Sequence, residues 1–263
     1  MWIGELITNL KIGNGVSLII FAGIIAGLPG QLSVFWVNFQ QSDIPIYALY
    51  LAITLAVIYA VVFITEGQRN IPISYSKGAR GAFGSKVDTY LPLKVNQAGV
   101  IPIIFAVSLM VFPQMIAQFA LQAGLGWDWV VTAAQFINDL WANQVFYASG
   151  YFVLVLAFTY FYTSIVFEPD SIAENLQRQG GFITGIRPGK QTAEYLSYVT
   201  NRIILFGALF LGLIAVLPFV MTGFTGNQSL AVGGTSLLIV VSVVLETMKQ
   251  IDSQITVRDY DSL

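Results

Sequence analysis

From Ile203 to Leu245 the chain reads IILFGALFLGLIAVLPFVMTGFTGNQSLAVGGTSLLIVVSVVL, 43 residues without a single charged side chain. Crossing about 30 Å of hydrocarbon takes roughly 20 helical residues, so the stretch is too long for one span and suits two. Pro218, followed by Thr222-Gly223-Phe224-Thr225-Gly226-Asn227, supplies the turn between them. The two spans then cover 203–221 and 230–248. The same search finds four more uncharged stretches, near 13–37, 45–65, 95–122 and 145–167. In the first of these Leu28-Pro29-Gly30 should end the crossing helix, leaving 31–37 near the interface.

Composition agrees with a membrane setting. Of the 263 residues 56% are hydrophobic and only 10% charged, with a mean hydropathy of +0.73. A soluble domain carries about 25% charged residues. Alternating the six spans puts Lys11, the loops 66–94 and 168–202, and the C-terminal tail on one side. All 12 Lys and Arg residues fall there, which by the positive-inside rule makes that side cytoplasmic and places both chain ends there. The N-terminal Met1-Trp2-Ile3-Gly4-Glu5-Leu6-Ile7 lacks the basic start and cleavage site of a signal peptide. It reads as a short amphipathic approach to the membrane. Six spans could form half of a larger pseudo-symmetric bundle.

Several chemistries are excluded at once. With no Cys and no His, the chain by itself builds no disulfide, thiolate nucleophile, imidazole base or Cys/His metal site. Net charge is −2, so the whole chain carries no strong nucleic-acid signature. The span cores hold no Asp, Glu, Lys or Arg, which disfavours an ion-coupled transporter, since such residues mark coupling sites. No Ser-His, paired-carboxylate or metal constellation is available for catalysis. Polar groups near the spans are Asn14, Asn96, Gln97, Gln114 and Gln118. Gly23 with Gly27, and Ala208 with Gly212, have the small-residue spacing that lets helices approach closely. Pro102 should kink or break the third span, and irregular backbone at that depth must face protein or a water-filled cavity.

The first charged loop alternates Ile71, Ile73 and Tyr75 with Pro72, Ser74 and Ser76, the period of a half-exposed strand. A return strand through Thr89-Tyr90-Leu91 would close a hairpin whose Gly-rich tip carries Lys77, Arg80 and Lys86. A basic tip lifted off the membrane suits an acidic or phosphate-bearing partner. In the second loop Asp170 or Ser171 can cap a short helix, with Ile172 and Leu176 on one face and Gly180-Gly181 at its end. Arg187 precedes Pro188 and is therefore offered from extended backbone.

Five segments, GNGVSLIIFAGIIAGLP, EGQRNIPISYSKG, LPLKVNQAGVIPIIFA, FEPDSIAENLQRQGGFITGIRPGKQT and GGTSLLIVVSVVLE, together resemble the SecY family, in the family's order and spacing. That family forms the central subunit of the bacterial protein-translocation channel. The resemblance implies an all-α polytopic membrane protein, six transmembrane helices with a cytoplasmic β-hairpin loop, similar to helices five to ten of the family's ten. The first four helices and the plug have no counterpart in this sequence. It further implies a non-enzymatic channel without cofactor or metal, in the bacterial cytoplasmic (inner) membrane. This channel would translocate unfolded polypeptides and release membrane segments sideways into lipid.

By motif, Val16, Ile20, Ile101 and Ile239 fall at positions of the apolar pore ring, Asn96, Gln97 and Pro102 at the lateral gate. Arg187, Lys190, Lys77, Arg80 and Lys86 fall in the loops that, in members of the family, bind the SecA motor or the ribosome. Implied partners are SecE and SecG, SecA, the ribosome, signal peptides and translocating chains, membrane lipid, and the remaining N-terminal half of a channel. A small-solute channel or secondary transporter is the alternative from another class, and a passive membrane scaffold a third; neither accounts for the collinear motifs.

Overall fold

The computed structural model describes residues 2–10, 14–37, 44–75, 89–122, 128–225 and 233–261. Among them, in chain order, are α1 (Trp2–Asn9), α2 (Gly15–Val37), α3 (Ile44–Glu66), β1 (Gln68–Tyr75) and β2 (Thr89–Lys94), then α4 (Ile101–Gln122), α5 (Asp128–Ala142) and α6 (Gln144–Val166). The last are α7 (Pro169–Arg178), β3 (Gly181–Ile183), α8 (Lys190–Thr225) and α9 (Gly233–Asp261). Among the described residues four stretches, Tyr47–Glu66, Ile101–Gln122, Gln144–Arg178 (which joins α6 to α7) and Lys190–Gly223, are long and apolar enough to cross a membrane. The chain divides into two compact units, one of 1–63 with 214–263 and one of 64–213.

In the first unit α1 folds back on α2 at a glycine contact. A Cβ built on Gly15 would overlap the Gly4 carbonyl, so only glycine lets the two backbones meet. Thr8 Oγ1 donates to the Gly4 carbonyl at 2.9 Å and accepts from the Gly15 amide at 2.9 Å, closing the corner. Asn14 Oδ1 accepts from the Val16 and Ser17 amides at 3.2 and 3.4 Å, which makes Asn14 the cap of α2. α9 packs on α2.

The proline expectations need correction. α2 continues through Pro29 to Val37, and α8 continues through Pro218 to Thr225, where Thr222 Oγ1 donates to the Pro218 carbonyl at 2.7 Å. Without water to satisfy an opened backbone, a helix in lipid gives up one hydrogen bond at proline rather than several by ending. Gly23 and Gly27 are also not a packing seam among the described residues, since a Cβ there would meet nothing within 4 Å. Gly212 does serve close approach: its missing Cβ leaves room for the Phe152 ring, 2.7 Å from where that atom would stand.

The second unit holds a three-stranded sheet of order β2-β1-β3, with both pairings antiparallel. β1 meets β2 in the register Ile71↔Leu91 and Ile73↔Thr89, and meets β3 through Ile73↔Ile183. The anticipated hairpin is present. β3 is a finding of the structure, and it joins the two charged loops into one body. Ile71, Ile73, Leu93, Leu176, Ile183, Leu196 and Val199 form a common buried core under the sheet.

α7 is capped ahead of both anticipated caps, two residues before Asp170 and three before Ser171. Its N-cap is Glu168, with Pro169 in the first turn, where fixed φ and a missing amide cost nothing. Ser171 Oγ instead donates to Glu168 Oε2 at 2.8 Å. The helix ends at Gln179, and Gly180 turns the chain with φ 72°.

α4 and α6 lie side by side in this unit, their Phe105 and Phe158 rings 5.9 Å apart. α6 buries the hydroxyls of Thr159 and Thr163 by donating to the carbonyls of Val155 and Thr159, both at 2.7 Å. α5, between α4 and α6, has no counterpart in the sequence reading.

Candidate docking platform and channel residues

The sheet and α7 converge on the turn from Gly185 to Gly189. Gly185 and Gly189 adopt φ of 85° and 94°, conformations that L side chains rarely enter. Between them Arg187 and Pro188 stand exposed. The turn is anchored from both ends: the Ile186 amide donates to the Ile183 carbonyl at 3.0 Å. Thr192 Oγ1, on a residue only 1% exposed, donates to the Arg187 carbonyl at 2.9 Å. The backbone of Arg187 is therefore held while its guanidinium faces solvent, which allows forked bonding to a carboxylate or phosphate. Lys190, first residue of α8, is exposed beside it in sequence.

Ser74 Oγ and Thr184 Oγ1 lie 3.4 Å apart and tie β1 to the start of the turn. Arg178 pairs with Glu174 at 2.6 Å, both side chains well exposed, so that pair stabilises α7 by only about 0.3–0.5 kcal/mol. Arg202 lies over the Tyr198 ring at 4.4 Å. Lys77, Arg80 and Lys86 lie outside the described residues.

A second feature is the segment 95–100, between β2 and α4. The expected third span began at 95; the helix begins at Ile101, so Pro102 sits in the first turn and neither kinks nor interrupts the helix. The Val95 amide still donates to the Gly67 carbonyl at 2.9 Å. The Val95 carbonyl then presses on α8, 2.6 Å from where a Cβ on Gly207 would stand. Gly99 takes φ 63°.

Asn96 is 9% exposed and its Oδ1 has no hydrogen-bond partner among the described residues; the same holds for Gln97 Oε1 and, on α8, for Thr200 Oγ1. The other buried helical threonines, Thr159, Thr163 and Thr192, all donate to a backbone carbonyl. Thr200 and Gly207 escaped the sequence reading, although both fall on the buried stripe of α8 with Leu196 and Val199.

The four ring candidates fall in both units. Val16 is 39% exposed and Ile20 half-buried on α2, and Ile239 is half-buried on α9, which packs against α2. Ile101 is the half-buried first residue of α4. Among the described residues no cluster of three or more acidic side chains could hold a metal ion.

Residues 1–248 match the family model described as SecY. The chain belongs to the SecY family. Curated relatives include the protein translocase subunit SecY of Streptomyces galbus, 45% identical across 99% of this chain and 59% of that protein. Another is the protein translocase subunit SecY of Mycobacterium tuberculosis (strain ATCC 25618 / H37Rv), 45% identical across 99% of this chain and 60% of its own length. The chain thus spans about three fifths of the relatives it matches.

Among solved structures, one described as a protein conducting channel superposes with a TM-score of 0.53 at 18% identity, covering 90% of this chain and 58% of the other. A second, described as a SecY translocation channel in which the plug domain stabilises the closed state, gives 0.55 at 18%, covering 90% and 59%. At that identity they support the fold.

Proposed function

We propose that the chain forms part of a SecY-type protein-conducting channel, non-enzymatic, which passes unfolded polypeptides across the cytoplasmic membrane and releases membrane segments laterally into it. The observation that carries this reading is the family match over 1–248. In this reading six helices span the membrane, with the sheet and both chain ends on the cytoplasmic side. The first four helices and the plug come from the N-terminal half of the channel.

Val16, Ile20, Ile101 and Ile239 contribute to an apolar ring that dewets and excludes ions while making no fixed bonds to a passing chain. Asn96, Gln97 and Pro102 contribute to the lateral gate. The anchored exposure of Arg187, with Lys190 close in sequence, supports docking of SecA or the ribosome. Lys77, Arg80 and Lys86 are assigned to the same docking role from the sequence. SecE and SecG complete the assembly, and signal peptides, translocating chains and lipid are its other partners.

Two measurements test the reading. In a complete channel, Ile20→Gly with Ile101→Gly should raise ion leak across proteoliposomes; an unchanged seal refutes the ring. Arg187→Glu should weaken motor or ribosome docking while membrane insertion stays intact, and undiminished docking refutes the platform.

A further inference from the structure

We propose that α5 is an interfacial helix whose stripe Trp129, Ala133, Phe136 and Leu140 rests in the lipid layer, at the end of α4 and α6 away from the sheet. The inference requires only that α4 and α6 cross the membrane, and does not depend on protein conduction.

α5 is carried at membrane depth. It connects α4 to α6, with Asn143 as the single residue before α6, where Asn143 Oδ1 caps the Val145 and Phe146 amides at 3.1 and 3.3 Å. Near its C-terminus, Trp141 Nε1 donates to the Met110 carbonyl at 2.8 Å. Met110 lies well inside α4, about 18 Å of helix before Gln122 at ~1.5 Å per residue. α5 therefore does not project freely into water; its last turn is fastened to the side of α4. The fastening falls just before Pro113, where proline disturbs the hydrogen-bond ladder of α4 and favours an outside donor.

At about 100° per residue the surface of α5 divides into three stripes. The inward one runs through Ala134, 3% exposed, and Trp141. Outside, Trp129 and Phe136 are 69% and 66% exposed, and Ala133 and Leu140 continue their line. Beside that line runs a polar one, Asp128, Thr132, Gln135 and Asp139, every member exposed.

A helix wholly in water would not sort its outer surface this way, and one wholly in lipid could not hold both carboxylates. An apolar flank beside a polar flank fits a boundary position. The apolar flank has a neighbour of like character in α4, whose Phe112 and Phe119 are 53% and 72% exposed. α5 contains no Lys or Arg, so its seating rests on aromatic contact with the acyl boundary and should not depend on anionic lipid.

The chain lacks cysteine, so a single introduced cysteine reports from one place. The full chain, reconstituted in phosphatidylcholine vesicles with and without phosphatidylglycerol, would be spin-labelled in turn at positions 128, 129, 132, 133, 135, 136, 139 and 140. Oxygen access should exceed access of a nickel chelate at 129, 133, 136 and 140, with the order reversed at 128, 132, 135 and 139, and phosphatidylglycerol should change neither. Nickel access on both stripes, or exclusion of both reagents at 129 and 136, overturns the proposal: the helix is then in water or covered by protein. Photolabelling of the unaltered chain with a diazirine-bearing phosphatidylcholine needs no variant. Adducts should fall on Trp129 and Phe136 and not on Asp128, Gln135 or Asp139; adducts confined elsewhere overturn it.

Discussion

Gly207→Ala isolates the contact that seats the segment before α4. The added methyl would stand 2.6 Å from the Val95 carbonyl oxygen, well inside any ordinary carbon–oxygen contact. That oxygen belongs to backbone, so relief requires Val95 to move, and Val95 is tied to Gly67 through its amide at 2.9 Å. Alanine gains about 1 kcal/mol over glycine in a helix interior, whereas overpacking of a filled site costs about 1–3 kcal/mol. The cost should win, leaving the variant up to about 2 kcal/mol less stable.

Gly23→Ala is the matched control. It offers the same helix gain, and its methyl meets nothing within 4 Å among the described residues, so it should be neutral or slightly stabilising. Thermal unfolding in detergent should show Gly207→Ala lower by up to about 8 °C, at roughly 2–4 °C per kcal/mol for a domain of this size, and lower than Gly23→Ala. Hydrogen exchange of the amides from 95 to 104 should quicken in that variant alone. Equal melting of the two variants, or unchanged exchange in that segment, would refute the reasoning.

Leu196→Ala removes a fully buried member of the core under the sheet and should cost about 2–5 kcal/mol, read as lost exchange protection in β1 and β3. Thr200→Val deletes a buried hydroxyl with no partner and should raise the melting temperature, since such a group carries about 1–3 kcal/mol of desolvation penalty. Thr192→Val deletes a hydroxyl bonded to the Arg187 carbonyl and should lower it by about 1 kcal/mol of stability; the same sign for both threonines would contradict this account. Trp141→Phe keeps an aromatic side chain but removes the pyrrole half of the indole with its donor to Met110 and should lower the melting temperature; a melting temperature equal to that of the unaltered chain would show that the bond contributes nothing.

Much of the fold was legible locally. Long uncharged runs announce spanning helices because an ionised side chain is costly in hydrocarbon, and such runs form the body of Tyr47–Glu66, Ile101–Gln122 and Lys190–Gly223. The alternation Ile71, Ile73 against Pro72, Ser74 announced β1, since a strand with one buried face has period two. Prolines misled the reading. Pro29 and Pro218 lie within continuing helices, because apolar surroundings penalise a broken ladder more than one missing bond. β3 escaped because three residues carry no period, and its pairing with β1 exists only once α7 has returned the chain. α5 escaped a search tuned to longer uncharged runs; its 15 residues carry Asp128 and Asp139.

Sequence by itself determined that this is a multi-helix membrane protein of the SecY family, because solvation energy and collinear motifs are both written along the chain. Tertiary structure decided that the two charged loops share one core, that Arg187 is held at its carbonyl by Thr192, and that Asn96, Gln97 and Thr200 bury oxygens without partners among the described residues. The shared core and the buried oxygens depend on residues far apart in sequence meeting in space, and the Thr192 bond, though only five residues long, depends on the folded path of the turn. Neither hydropathy nor local period can report which donor a buried oxygen finds, or fails to find.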